Sequence, residues 1–135
     1  KYSYYEGVYR SIWDFEKEVP VKTGIVPSFD ISGLLRNEWI AFDFEGYIKI
    51  TRDGIYTFYM NANDGGQLSV NGKELVESDG RKSFAFEQQS ALALKAGNYP
   101  IRVKYFQCSD LKTMEISWSG PGFRKTIIPT NVLFH

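Results

Sequence analysis

The stretch that decides the fold is residues 54–72, GIYTFYMNANDGGQLSVNG, in which an apolar alternation is followed by two turn signals. Tyr56, Phe58 and Met60 stand at every second position, which is the period of a β-strand. Asn71 and Gly72 both tolerate a positive φ, so they predict a two-residue hairpin turn. The stretch therefore predicts a strand, a polar loop and a tight hairpin in immediate succession.

The polar loop predicted within this stretch is residues 61–66, NANDGG. The side-chain oxygens of Asn63 and Asp64 converge there with the backbone N–H groups of Gly65 and Gly66, so any ligand site in the chain is expected in this loop. A purely structural interpretation stays open beside it. An aspartate often caps its own turn, and glycine supplies the positive φ that a turn needs.

The remaining chain shows the same period of two. In residues 39–50 the apolar side chains fall on one face and polar ones on the other, and Gly46 predicts a β-bulge. Short strands separated by turn signals predict an all-β fold, an antiparallel two-sheet β-sandwich. The predicted buried residues are Ile40, Phe42, Phe44, Tyr56, Phe58, Leu92, Ile101, Val103, Ile116 and Trp118.

Length and charge limit the possible functions. A chain of 135 residues has the size of one domain, predicted to span residues 1–135 and to be excised from a longer protein. Sixteen basic and sixteen acidic residues give no basic field, which argues against a nucleic-acid partner. No apolar run is long enough for membrane insertion. Cys108 is the only cysteine, so an internal disulfide is impossible.

Few side chains are candidates for catalysis or ligand contact. Asp43 and Glu45 lie two positions apart on one strand face, but alternating acids on a wet face are usually solvated, so we predict no enzyme. Cys108 has no internal histidine that would activate it, because His135 is the only histidine. Aromatic residues make up 16% of the chain, and Trp13 is the best candidate for stacking on a sugar ring.

Four pieces of the chain, in order, resemble the PA14 domain, a family named after a segment of anthrax protective antigen. They are residues 54–58 GIYTF with 64–72 DGGQLSVNG, residues 94–106 LKAGNYPIRVKYF, residues 116–122 ISWSGPG, and residues 128–129 IP. The YYEG of residues 4–7 and the VPVKTG of residues 19–24 look like copies attached to bacterial glycosidases, especially chitobiase-like β-hexosaminidases.

The resemblance implies a function and a location. We expect a non-catalytic, carbohydrate-binding accessory module of a secreted, periplasmic or cell-surface glycosidase. Its expected partners are a glycan, with N-acetylhexosamine as a candidate component, and the catalytic domain of the same chain. The alternative is a structural spacer that packs against that catalytic domain and binds no glycan itself.

The resemblance also implies a metal site. Relatives among yeast adhesins hold calcium on two adjacent aspartates joined by a cis peptide, and Asn63 and Asp64 occupy those positions here. A later loop, residues 107–112, adds the oxygens of Ser109 and Asp110. Because Asn63 removes one charge, we expect no cofactor or a weakly bound calcium on Asn63, Asp64 and Asp110. The predicted ligand-binding residues are Asn63, Asp64, Gly65, Gly66, Ser109, Asp110 and Trp13.

Overall fold

The computed structural model of the protein describes residues 1–32, 36, 38–78, 86–109 and 113–135. The described residues form two antiparallel sheets, so the predicted sandwich is confirmed. Their strands are β1 (Tyr2–Glu6), β2 (Lys22–Gly24), β3 (Ile40–Ile50), β4 (Gly54–Asn63), β5 (Gly65–Val70), β6 (Lys73–Ser78), β7 (Phe86–Leu94), β8 (Gly97–Gln107), β9 (Thr113–Gly120), β10 (Phe123–Ile127) and β11 (Leu133–Phe134), with a 3₁₀ turn at Thr130–Val132.

The larger sheet has the strand order β2-β1-β3-β8-β5-β6, and β11 pairs with β3 beyond the end of β1. The smaller sheet has the order β10-β9-β4-β7. The predicted hairpin at Asn71 and Gly72 is present, with φ values of 53° and 74°. The described part of the chain contains no helix with the length and apolarity that a membrane span requires.

The main core lies between the two sheets. Of the ten residues predicted to be buried, nine are buried, and Leu92 is partly buried because β7 is an edge strand of the smaller sheet. Phe58 is fully enclosed at the middle of β4, with its ring centroid 6.3 Å from that of Trp118. The alternation of apolar residues is thus an inside–outside pattern on both sheets.

Three predictions for individual elements need correction. Gly46 is not a bulge, because the pairing of β3 with β8 runs through it without a shift in register. A Cβ at Gly46 would lie 2.7 Å from the carbonyl oxygen of Phe134, so the glycine allows β11 to approach β3. The residues 126–129, TIIP, predict a short last strand, whereas the structure has β10 over Phe123–Ile127 and a further strand, β11, that was not predicted.

A second, smaller cluster lies on the opposite face of the larger sheet. Residues 9–18, here called the clasp, cover that face at one end of β3 and β8. Tyr5, Ala41 and Phe106 are register partners on the sheet and alternate with residues of the main core, so they point outward. The buried members of the cluster are Tyr5, Tyr9, Ile12, Phe15, Ala41, Phe106 and Cys108.

Candidate functional site

The predicted ligand stretch is the point where the chain passes from one sheet to the other. β4 ends at Asn63 in the smaller sheet, and β5 begins at Gly65 in the larger sheet. The expectation of a polar loop over residues 61–66 is therefore wrong, since only Asp64 links the two strands. These polar residues lie in strands because β4 and β5 both extend as far as Asp64.

Asp64 is held at this crossing by the end of β8. It is 1% exposed, its backbone N–H donates to the carbonyl oxygen of Phe106 at 2.9 Å, and its Oδ2 accepts from the backbone N–H of Cys108 at 2.7 Å. The structural interpretation expected Asp64 to cap its own turn. The hydrogen bond from Cys108 comes from a residue 44 positions later, so Asp64 also ties together two distant segments.

Asn63 lies beside Asp64 and is also buried, at 3% exposed, and the peptide bond between them is cis. The backbone oxygen of Asn63 accepts the hydroxyl proton of Tyr105 at 2.7 Å, and that hydroxyl also lies 3.2 Å from Gln107 Oε1. Burial raises the pKa of the Tyr105 phenol, and the charge of Asp64 raises it further. The phenol therefore stays protonated and keeps donating this bond.

Gly65 and Gly66 are extended strand residues rather than turn residues with positive φ. A Cβ on Gly65 would lie 2.8 Å from Phe106 Cζ and closer still to the ring edge. A Cβ on Gly66 would lie 3.0 Å from Ala62 Cβ and would collide with the Met60 methyl group. The two glycines are needed for close packing at the crossing.

The remaining predicted residues fall in different places. Ser109 is exposed and directly follows Cys108, so the described part of the later loop, residues 107–109, adjoins Asp64. Asp110 lies outside the described residues. Trp13 belongs to the clasp and is 47% exposed, and Lys104 Nζ lies 4.4 Å from its ring centroid. One side of the indole is thus occupied by a cation instead of being open to a sugar ring.

Lys104 is a residue that the sequence interpretation missed. The alternation correctly places it on the outer face of β8, yet it is 2% exposed because the clasp covers it. Its ammonium group forms an ion pair with Glu16 and donates a hydrogen bond to that carboxylate. That hydrogen bond holds the pKa of Glu16 below its usual value. The sequence signal that could have indicated this burial is the set of apolar residues in the clasp, which do not follow the period of a strand.

The described residues fit calcium poorly. Calcium takes six to eight oxygens, and carboxylates dominate its affinity. At the crossing the described chain supplies the Asp64 carboxylate, with Oδ2 already accepting a hydrogen bond, and the Asn63 amide. Those residues contain no group of three or more histidine, cysteine, aspartate or glutamate side chains placed to hold a metal. The calcium prediction therefore rests on Asp110 for its second carboxylate.

The acids considered for catalysis are engaged by a cation. Arg102 donates to both carboxylate oxygens of Asp43, at 2.9 and 2.6 Å, and its Nε lies 3.6 Å from Glu45. Such a two-pronged contact fixes the orientation of the Asp43 carboxylate. Asp43, Glu45 and Arg102 thus form an ion network between β3 and β8 on the outer face of the larger sheet.

Two adjoining cavities lie away from the Asp64 crossing. They have volumes of about 460 and 670 Å³ and share Gly46, Tyr47 and Ile101 in their linings. Tyr47 stacks on Phe134 beside them, with ring centroids 5.7 Å apart. Among the described residues, none of those predicted to bind a ligand lines either cavity, and Asp110 lies outside that part of the chain.

Comparison with known proteins changes the expected biological context. The anti-sigma-I factor RsgI3 of Acetivibrio thermocellus is 34% identical over 80 residues, which are 58% of this chain and 12% of that protein. A solved anti-sigma factor domain-containing protein superposes with a TM-score of 0.83 at 22% identity, over 98% of this chain and 46% of that one. A PA14 sugar-binding domain from an RTX adhesin gives a TM-score of 0.63 at 21% identity, over 71% of this chain and 54% of the other.

These findings overturn the expectation of an accessory module or spacer on a chitobiase-like β-hexosaminidase, and with it the expected glycan and catalytic-domain partners. Two of the similar proteins named here are described as anti-sigma factors, and the chain spans 12% of one and 46% of the other. The expected fold family, in contrast, is supported directly. A family model for the PA14 domain matches residues 35–131, which is most of the chain. The chain therefore belongs to the PA14 domain family.

Proposed function

We propose that the chain is a non-catalytic regulatory domain of an anti-sigma-factor-type protein, and that it recognises a ligand at one end of the sandwich. The observation that carries the proposal is the 34% identity over 80 residues with an anti-sigma-I factor. Because the chain spans 12% of that relative, the contact with a sigma factor is assigned to another part of the parent protein.

The recognition end is the group of residues around the crossing, here called the Asp64 end: Asn63, Asp64, Gln107, Cys108 and Ser109. Its support is the concentration of buried polar side chains, since Asn63, Asp64 and Gln107 are each nearly inaccessible. Burying such groups costs free energy unless they are well paired. A domain that keeps them at one end of its sheets has a preorganised polar site there.

The contacts of two acidic residues support the non-catalytic part of the proposal. Asp43 is held by Arg102, and Asp64 accepts the N–H of Cys108, so neither carboxylate is placed as an exposed acid or base. A binding domain needs only fixed donors and acceptors, which is what these contacts provide.

The proposal is tested with a reporter gene whose transcription depends on the sigma factor that the parent protein binds. The parent protein is produced intact, with residues 1–135 deleted, and with Asp64→Ala. Asp53→Ala is the matched control, because Asp53 Oδ1 also accepts a backbone N–H from a distant segment, that of Ala96 at 2.8 Å. Cultures are compared with and without added calcium chloride and with and without soluble polysaccharides.

We expect the deletion and Asp64→Ala to change reporter output in the same direction, and Asp53→Ala to leave it at the wild-type level. Binding of the sigma factor by the rest of the parent protein, measured by co-purification, should be unaffected. Equal reporter output from the intact and deleted proteins in every medium would remove the regulatory assignment.

We further propose that the domain lies outside the cell, where a regulatory domain meets external ligands. An epitope tag placed in the Asn71–Gly72 hairpin, which is exposed and has open space around Gly72, reports its location. Antibody labelling of intact cells is the expected result. Labelling only after the cells are permeabilised would place the domain inside.

A further inference from the structure

The clasp lies outside the part of the chain that the PA14 family model matches. The match covers residues 35–131, whereas the clasp is residues 9–18. Two of its apolar side chains, Ile12 and Phe15, are nevertheless as buried as those of the main core and are enclosed against the outer face of the larger sheet. The clasp is thus integrated into the sandwich, although it lies outside the family match.

A buried charge fixes the clasp in one position. Lys104 projects from the outer face of β8, and its ammonium group is covered by the indole of Trp13 and paired with Glu16. A buried ammonium without a partner is strongly unfavourable. In this position the ammonium needs the Glu16 carboxylate, so loss of that carboxylate favours a displaced clasp that lets water reach Lys104.

The clasp also contacts the residue that holds Asp64. Cys108 is buried in the clasp cluster, and its thiol donates to the backbone oxygen of Tyr9 at 3.3 Å. On the other side, the carbonyl oxygen of Cys108 accepts from the backbone N–H of Trp39 at 2.7 Å. The N–H of Cys108 points to Asp64 Oδ2. A continuous set of contacts thus runs from the clasp through Cys108 to the Asp64 carboxylate.

We propose that the clasp is a positioning element for the Asp64 end: Glu16 and Trp13 fix it over Lys104, and the fixed clasp holds Cys108 so that its N–H orients the Asp64 carboxylate. The inference rests on the proposed function in one respect, that the Asp64 end recognises the ligand. The clasp residues themselves are positioning residues and do not touch that ligand.

Amide hydrogen exchange, measured by NMR on the whole chain, reports directly on the hydrogen bond from the Cys108 N–H to the Asp64 carboxylate. The test variant is Glu16→Gln, which removes the charge that pairs with Lys104. The matched control is Glu87→Gln, because Glu87 pairs with Lys125 at 2.5 Å and Lys125 Nζ lies 4.6 Å from the Tyr59 ring centroid. The two variants remove the same kind of group from opposite sides of the molecule.

We expect the Cys108 amide to exchange about tenfold faster in Glu16→Gln, because local opening raises exchange without global unfolding. The Met60 amide in the central strand β4 should keep its wild-type rate. Glu87→Gln should leave both amides unchanged. Adding Lys104→Met to Glu16→Gln removes the unpaired buried charge, so the double variant should recover most of the Cys108 protection.

Two results would overturn the inference. One is an unchanged Cys108 rate in Glu16→Gln, and the other is a parallel rise at Cys108 and Met60, which would indicate general destabilisation. The exchange experiment tests the positioning role of the clasp, and the sigma-dependent reporter tests the recognition role of the Asp64 end. If exchange at Cys108 changes as expected while Asp64→Ala leaves the reporter unchanged, the positioning role stands and the recognition role fails. The two proposals are thereby separated.

Discussion

Replacing Phe58 by alanine tests the core of the sandwich most directly. The side chain is 0% exposed at the middle of β4 and packs near Trp118. An aromatic side chain buries about 150–250 Å², and at about 25 cal/mol per Å² this corresponds to roughly 4–6 kcal/mol. Alanine retains part of that contact, and phenylalanine-to-alanine changes in cores cost about 3–5 kcal/mol. We expect the free energy of unfolding to fall by that amount.

Urea unfolding followed by tryptophan fluorescence measures this loss, because Trp118 reports on the same part of the core. Domains are typically stable by about 5–15 kcal/mol, so the variant should remain folded in water with a much lower midpoint. Ile55→Ala is the control on the same strand, since Ile55 is 67% exposed and points outward. It should change the stability by less than about 0.5 kcal/mol. A loss below about 1 kcal/mol for Phe58→Ala would refute the reasoning.

Three further outcomes are expected. Gly65→Ala should destabilise the domain by about 1–3 kcal/mol in the same urea assay, because its Cβ would press on the rigid, buried ring of Phe106. As the pH is lowered below 4.5, the ordinary pKa of the Glu16 carboxyl, the free energy of unfolding should decrease more steeply in the wild type than in Glu16→Gln. Lys104 lowers the folded-state pKa, so the stabilisation is present above 4.5 and is lost as pH falls through the lowered value. Calorimetric titration should give a calcium dissociation constant in the millimolar range, of about 10⁻⁴–10⁻³ M, and no binding for Asp64→Asn.

Each of these outcomes has its own control. Gly66→Ala should be milder than Gly65→Ala, because the terminal methyl group of Met60 can move more easily than a ring, and the reverse order would contradict the packing argument. Glu87→Gln should keep the wild-type acid profile, whereas an unchanged profile in Glu16→Gln would remove the role assigned to the Lys104 pair. Asp53→Asn should bind calcium like the wild type, and micromolar binding by the wild type would show that the donor set is stronger than argued.

The strands were predictable because their signal is local. In β3 and β4 every second side chain is apolar, and burial on one face of a pleated strand requires that period whatever the partner strands are. The hairpin at Asn71 and Gly72 was predictable for the same reason, since the backbone angles of two adjacent residues determine it.

The Asp64 crossing was only partly predictable. The sequence indicated that polar atoms gather near Asn63 and Asp64, but it suggested a loop with glycines at positive φ. Which N–H reaches Asp64 depends on where β8 ends relative to β4, and no residue near Asp64 in sequence carries that information. The need for glycine at positions 65 and 66 likewise comes from side chains of other strands.

Lys104 marks the boundary between what the sequence determined and what the tertiary structure decided. The sequence by itself determined that Lys104 faces outward from β8, because it alternates with Val103 and Tyr105. Outward usually means solvated, yet here a segment about ninety residues away covers that face, and Glu16 and Trp13 enclose the charge. Period fixes the face of a strand on which a side chain lies, whereas burial of that face depends on which distant segment packs over it.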